Sequence, residues 1–284
     1  MIKGAFSKFS FKYDNWGANA SGIPGTSVVP GASNVEGSWT QVASAANIAQ
    51  DCYAFLLRVS DGFTSAAQKD HLLDIGVDQA GGTSYTAVIS NIVCGASGGI
   101  GSESVGLEFA FPLCIKAGSS VAVRIQGSNA TAGTVMVGIR FYGQPDHPEN
   151  VPVSQYSETL GTITNSQGVS FTPGNAADGT WVSLGTTTLA MWWWQIGYQV
   201  SNSVITTERT YIEIAYGDAT NKHLIMRLLH IGNTNEEITS TLNENLMPWA
   251  CYCPVPAGTN IYIRGRCENA PDTGYNGVAI GIGG

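Results

Sequence analysis

Apolar and polar residues alternate in short runs along most of the chain, and the runs are broken by clusters such as Asp61-Gly62, Gly81-Gly82 and Gly98-Gly99. A period of two places every second side chain on one face, which is the signature of a half-buried strand, and Gly- and Asp-rich breaks supply the turns. The pattern predicts strands over residues 39–42, 53–59, 72–77, 85–92, 106–111, 121–126 and 135–141. A second set follows over 181–184, 192–200, 210–216, 223–230, around 249–253, and over 261–266 and 278–282. Only 44–50 and 64–71 have a composition that would accommodate a turn or two of helix. Seven or eight short strands at this spacing predict a β-sandwich or jelly roll.

The two sets are copies of one another. Ala117-Gly118 matches Ala257-Gly258, Val121 matches Ile261, Val123 matches Ile263 and Arg124 matches Arg264, a shift of 257 − 117 = 140. Trp39 matches Trp181 (181 − 39 = 142), Val59 matches Val200 (200 − 59 = 141), and Asp74 matches Glu213 (213 − 74 = 139). Val137 to Phe141 reads onto Val278 to Ile282 at 141. Blocks that keep their order and spacing in this way indicate a duplicated unit. The expected organisation is an N-terminal arm over 1–36, a β-sandwich over 37–143, a Pro-containing linker and second arm over 144–178, and a second β-sandwich over 179–284. Pro145, Pro148 and Pro152 stiffen the connector, and residues 156–171 are expected to add an edge strand.

Composition narrows the functional classes. Only 12% of the 284 residues are charged, the formal charge is −8 and the pI is near 4.9. With thirteen scattered Lys and Arg, the chain lacks the basic surface that nucleic-acid binding requires. The first ten residues carry Lys3 and Lys8 and no long apolar core, so a secretory signal is not expected, and no run of eighteen apolar residues predicts a membrane span. Synthesis in a reducing compartment follows, with the six cysteines as thiols.

The candidate chemistry is sparse. In Met191-Trp192-Trp193-Trp194, strand geometry places Trp192 and Trp194 on one face and Trp193 on the other, so at least one indole is expected near a surface or an interface. An exposed indole suits a sugar ring or a neighbouring subunit. The alternating arm residues Phe6, Phe9 and Phe11 are candidate subunit contacts. The arm's Gly, Ser and Pro content suits a segment held by its own sheets or by a neighbour. Arg124 and Arg264 recur at equivalent strand positions and are expected in salt bridges or interface contacts. Asp74 and Glu213 also recur, but a general acid needs a partner that no motif supplies. Cys251, Cys253, Cys267 and His230 have the wrong spacing for zinc, and the cysteine pair reads as core. No nucleophile elbow or phosphate loop occurs, so no cofactor, metal or enzymatic activity is expected.

The strand following the turn, Lys116-Ala117-Gly118-Ser119-Ser120-Val121-Ala122-Val123-Arg124 and Pro256-Ala257-Gly258-Thr259-Asn260-Ile261-Tyr262-Ile263-Arg264, resembles that of β-sandwich and jelly-roll structural proteins of tailed bacteriophage virions. The first copy has Lys116 where that pattern has Pro. The resemblance implies a tail, neck, fibre or capsid-decoration component, made in the host cytoplasm and incorporated into the virion. The partners it implies are other virion proteins and further copies of the chain. A host-surface glycan, held by the aromatic residues or by loop tips such as 233–245, is the alternative ligand. No nucleic acid and no membrane enter either reading.

Overall fold

The structure is a computed structural model and describes residues 9–15, 25–61, 71–94, 107–128, 134–145, 154–165, 167–200, 209–231, 239–240, 251–268 and 275–284. Phe6, the helical candidate 64–70, Trp249 and the loop 233–238 and 241–245 lie outside them. The described residues are all β. In chain order the strands are β1 (Phe9–Asp14), β2 (Thr26–Val28), β3 (Thr40–Ala43), β4 (Ala54–Asp61), β5 (His71–Asp78), β6 (Thr86–Val93), β7 (Leu107–Phe111), β8 (Ser120–Gly127), β9 (Val135–Pro145) and β10 (Tyr156–Leu160). They continue as β11 (Thr162–Ile163), β12 (Gln167–Phe171), β13 (Gly174–Asn175), β14 (Val182–Thr186), β15 (Met191–Val200), β16 (Arg209–Gly217), β17 (Lys222–Ile231), β18 (Thr239–Ser240), β19 (Cys251–Val255), β20 (Asn260–Cys267) and β21 (Tyr275–Gly283). The helical candidate at 44–50 is a turn, closed by the Asn47 carboxamide, which accepts from the Ser44 N–H at 2.9 Å.

Among the described residues four sheets form two sandwiches with the same plan. In the first, the sheet β1-β9-β4-β7, with β2 also on β9, faces the sheet β3-β8-β5-β6. Consecutive strands mostly cross between the sheets, giving a jelly-roll-like sandwich, and Phe55, Leu57, Phe111, Ile139 and Phe141 meet Leu73, Ile75, Val123 and Ile125 in one core. In the second, a sheet built on β21 and β15, with β19 on β15, faces β13-β20-β16-β17, and β14 pairs with β20 as β3 pairs with β8. Even the irregularities repeat, since a register shift between Gln41 and Ala43 has its counterpart between Ser183 and Gly185.

The described part of the arm is stitched into the first sandwich. β1 and β2 both pair with β9. Buried Asn15 accepts the Ile139 N–H at 2.6 Å and donates to the Thr26 hydroxyl at 3.0 Å. Residues 156–171 do the same for β21, through β10 and β12.

The ladders correct one sequence match. Val59 pairs with Val137 and its counterpart Val200 pairs with Tyr275, so β21 aligns with β9 at 275 − 137 = 138 and not at 141. An odd difference of three residues exchanges the two faces of a strand. Tyr275 and Ala279 therefore belong to the second core, while Ile280 and Ile282 join the first core and Val278 packs on Leu72 and Val93. β21 is buried along its whole length, because its outer face lies on the first sandwich.

Polar contacts seal this junction. Ser157 donates to the Val88 carbonyl at 2.7 Å, Thr159 donates to the Ser90 carbonyl, and Gln195 donates to the Ala110 carbonyl at 2.5 Å. The edge strand β6 is thereby covered by β10, which removes its pairing edge from solvent. Each apolar side chain buried at the junction contributes roughly 1.5–3 kcal/mol. Ile280→Ala should therefore lower the unfolding free energy by about 2–5 kcal/mol, read as a lower urea midpoint. A loss under about 1 kcal/mol would mean that the junction adds little stability.

Candidate functional site

The recurring residues build one side-chain cluster twice. In the first sandwich Arg124, on the outer face of β8, donates from Nε at 2.9 Å and from Nη2 at 2.8 Å to Asp74 Oδ2, and from Nη1 at 2.5 Å to Glu36. Its guanidinium lies 4.5 Å from the centroid of the Trp39 ring. In the second, Arg264 donates to Glu213 from Nε at 2.6 Å and to Asp178 from Nη2 at 2.8 Å, and lies 4.3 Å from the Trp181 ring. The loop that delivers the outer carboxylate and the indole is pinned alike in both. Asn34 and Ala176 adopt φ of 55° and 48°, and their N–H groups bond to Gly127 O and Cys267 O.

A planar guanidinium that satisfies two carboxylates while stacking on an indole is a structural clamp. Asp74 and Glu213 are buried, and a buried carboxylate persists only when paired. Asp74 also accepts the Asn91 N–H at 2.7 Å, and Glu213 also accepts from Arg227. Both acids offered as one per sandwich are therefore held by arginine, and Arg124 and Arg264 occupy the salt bridges expected of them. Glu36 differs, being partly exposed. Burial pushes its carboxyl above the usual value, the like charge of Asp74 adds to this, and Arg124 offsets it only in part.

The tryptophans depart from simple alternation. A register shift between Met191 and Trp193 in the β15–β19 pairing inserts a bulge, so Met191 and Trp194 face the second core while Trp192 and Trp193 both face the first. Trp194 is fully buried and donates from Nε1 to the Cys253 carbonyl at 3.0 Å, and Trp193 is buried at the junction. Trp192 is half-buried, 5.9 Å from the ring of Tyr252, which is 65% exposed. Tyr252 escaped the sequence reading because a lone Tyr between two cysteines carries no signal. Phe9 and Phe11 lie in β1, paired with Pro145 and Tyr142.

Cys52, Cys94 and Cys267 are buried, and Cys114, Cys251 and Cys253 are half-buried. Cys251 and Cys253 sit against the second core, Cys251 donates its thiol to the Ile225 carbonyl at 2.7 Å, and Cys267 donates to the Gly174 carbonyl at 3.2 Å. Burial pushes the Cys251 and Cys253 thiols up, away from the reactive thiolate.

Beside the second clamp the face of β16, β17 and β20 opens into a groove of about 460 Å³. Arg209, Tyr211, Arg227, Arg266 and Glu268 line it beyond the clamp acids Asp178 and Glu213. Among the described residues the equivalent place of the first sandwich is covered, since Leu72, the counterpart of Tyr211, is buried with Val278.

No family model and no curated protein sequence matches the chain. Among solved structures it is similar to the tandem carbohydrate-binding domains CBM22-1-CBM22-2 of Paenibacillus barcinonensis Xyn10C, with 12% identity, 85% of this chain and 81% of that one covered, and a TM-score of 0.27. It is similar to the viral capsid protein STIV MCP, with 8% identity, 90% and 93% covered, and a TM-score of 0.34. It is also similar to a chain of the Cowpea mosaic virus top component, with 10% identity, 93% and 94% covered, and a TM-score of 0.30. At these scores the likeness carries no argument about what the chain does.

The clamp makes two substitutions behave differently. Asp74→Asn should destabilise by about 3–5 kcal/mol, because it leaves a half-buried guanidinium short of its main partner. Glu36→Gln should stay within about 1 kcal/mol at neutral pH. Because the folded-state pKa of Glu36 is raised, its contribution to stability is present at low pH and is lost as pH rises through that raised value. Glu36→Gln should therefore flatten that limb of a stability profile measured by urea unfolding at several pH values.

Proposed function

We propose that the chain is a non-enzymatic structural component of a bacteriophage virion, in the tail, neck, fibre or capsid decoration, made in the host cytoplasm and assembled with other virion proteins and with copies of itself. The observation that carries this reading is the spending of conserved-by-duplication chemistry on architecture. The acids and arginines repeated in both sandwiches are paired with each other, and β21 joins the two sandwiches by being buried on both faces. A unit of this kind presents fixed polar faces, and symmetric assemblies multiply modest contacts between such faces.

A second reading has one specific observation in its favour. Exposed Tyr252 beside half-buried Trp192 forms an aromatic surface of the kind on which a host glycan stacks. Mass spectrometry of purified particles tests the structural reading. The chain should appear in many copies per particle and stay there through high-salt washing. Its absence from particles that contain their other proteins would overturn the structural reading.

A further inference from the structure

The duplication supplies an internal comparison. Residues that both sandwiches keep serve the shared fold, whereas polar residues that only one sandwich carries, on an open face, are free to serve a ligand. The groove beside the second clamp consists of the latter. Where the second sandwich has Tyr211, Arg266 and Glu268, the first has Leu72, Gln126 and Ser128. Leu72 is covered by Val278, and Gln126 is engaged in a 3.2 Å bond to the Thr164 carbonyl. Where Glu213 takes the Arg227 side chain, Asp74 takes the backbone N–H of Asn91.

Three of the thirteen cationic residues in a chain of net charge −8, Arg209, Arg227 and Arg266, line the groove with three carboxylates, Asp178, Glu213 and Glu268, and Arg264 pairs with Asp178 beside it. Arg264 is spent in the clamp and Arg227 on Glu213. Arg209 and Arg266 are exposed and make no ion pair among the described residues. Tyr211, directly across the β16–β20 ladder from Arg266, is 42% exposed, with its ring 5.7 Å from the Arg227 guanidinium.

We propose that this groove binds a carboxylate-bearing saccharide, a uronate or sialate unit of an acidic polysaccharide. Two open guanidiniums match a carboxylate in fork geometry. The Tyr211 ring offers a face for the sugar, and Glu268 accepts from ring hydroxyls. The volume of the groove lies within the range of about 300–1,000 Å³ usual for small-ligand sites. This inference does not depend on the virion reading, and it uses residues other than the Trp192–Tyr252 pair.

Affinity electrophoresis of the full chain through gels containing polygalacturonate, polysialate, neutral galactan or dextran sulfate tests it. At least one of the two carboxylated polymers should retard the chain, neutral galactan should not, and added salt should weaken the effect. Arg209→Gln and Arg266→Gln should each weaken retardation roughly tenfold, the loss expected for one charge-assisted pair. Tyr211→Leu, which installs the residue of the first sandwich, should weaken it as well, whereas Tyr252→Ala should leave it unchanged. All four side chains are exposed, so the far-ultraviolet circular dichroism and the urea midpoint should be unaltered. No retardation by either carboxylated polymer would overturn the proposal. So would retardation that survives both arginine changes, loss confined to Tyr252→Ala, or equal retardation by dextran sulfate, which would mark a general polyanion surface.

Discussion

The packing of β21 on two cores at once is the constraint from which the rest of the molecule follows. A strand at the middle of a sandwich normally gives one face to its own core and the other to solvent. In β21 the inner face, with Tyr275 and Ala279, closes the second core, and the outer face, with Val278, Ile280 and Ile282, closes the first. The corresponding positions of β9 carry Arg140 and Tyr142, by the register that sets Tyr275 against Val137. The second copy thus has apolar side chains where β9 has half-buried polar ones, and that difference turns two similar units into a joined pair. Trp193 and Gln195 on neighbouring β15 complete the same surface.

Against this apolar junction stands a polar device that both copies retained. Burying a carboxylate in the middle of a sheet is unfavourable unless its charge is answered. Each sandwich answers it with an arginine from the adjacent strand, an indole beneath the arginine and a second carboxylate from the loop leading into β3 or β14. The clamp fixes that loop to the sheet, which accounts for the survival of the left-handed backbone at Ala176 without the amide side chain that Asn34 brings to the same place. Chemistry repeated in this way is accounted for by the fold. What distinguishes the copies, the open arginines and tyrosine of the second sheet against the covered leucine and glutamine of the first, lies where one face is docked and the other is free.

Much of this was legible in the chain. Period-two alternation located the strands to within a few residues, and the repeated blocks showed that one plan is used twice. Arg124, Arg264, Asp74 and Glu213 were visible as recurring pairs, and the cysteine pair, read as core, is half-buried against it. The groove was not legible, because Arg209, Tyr211, Arg227, Arg266 and Glu268 come from three strands and share no spacing. Tyr252 beside Trp192 was invisible for the same reason, being brought there by a cross-strand pairing.

The alternating pattern alone therefore determined that these residues form strands, that the strands make two like sandwiches, and which charged residues recur. It could not determine which side of a strand looks inward once a bulge intervenes, as at Trp192, or once two similar apolar runs differ by an odd slip, as at β21. Nor could it say which outer face is covered. Local backbone geometry is encoded by neighbours in sequence, whereas the covering of a face depends on side chains more than a hundred residues away, such as Val278 on Leu72, and only the assembled tertiary structure brings those together.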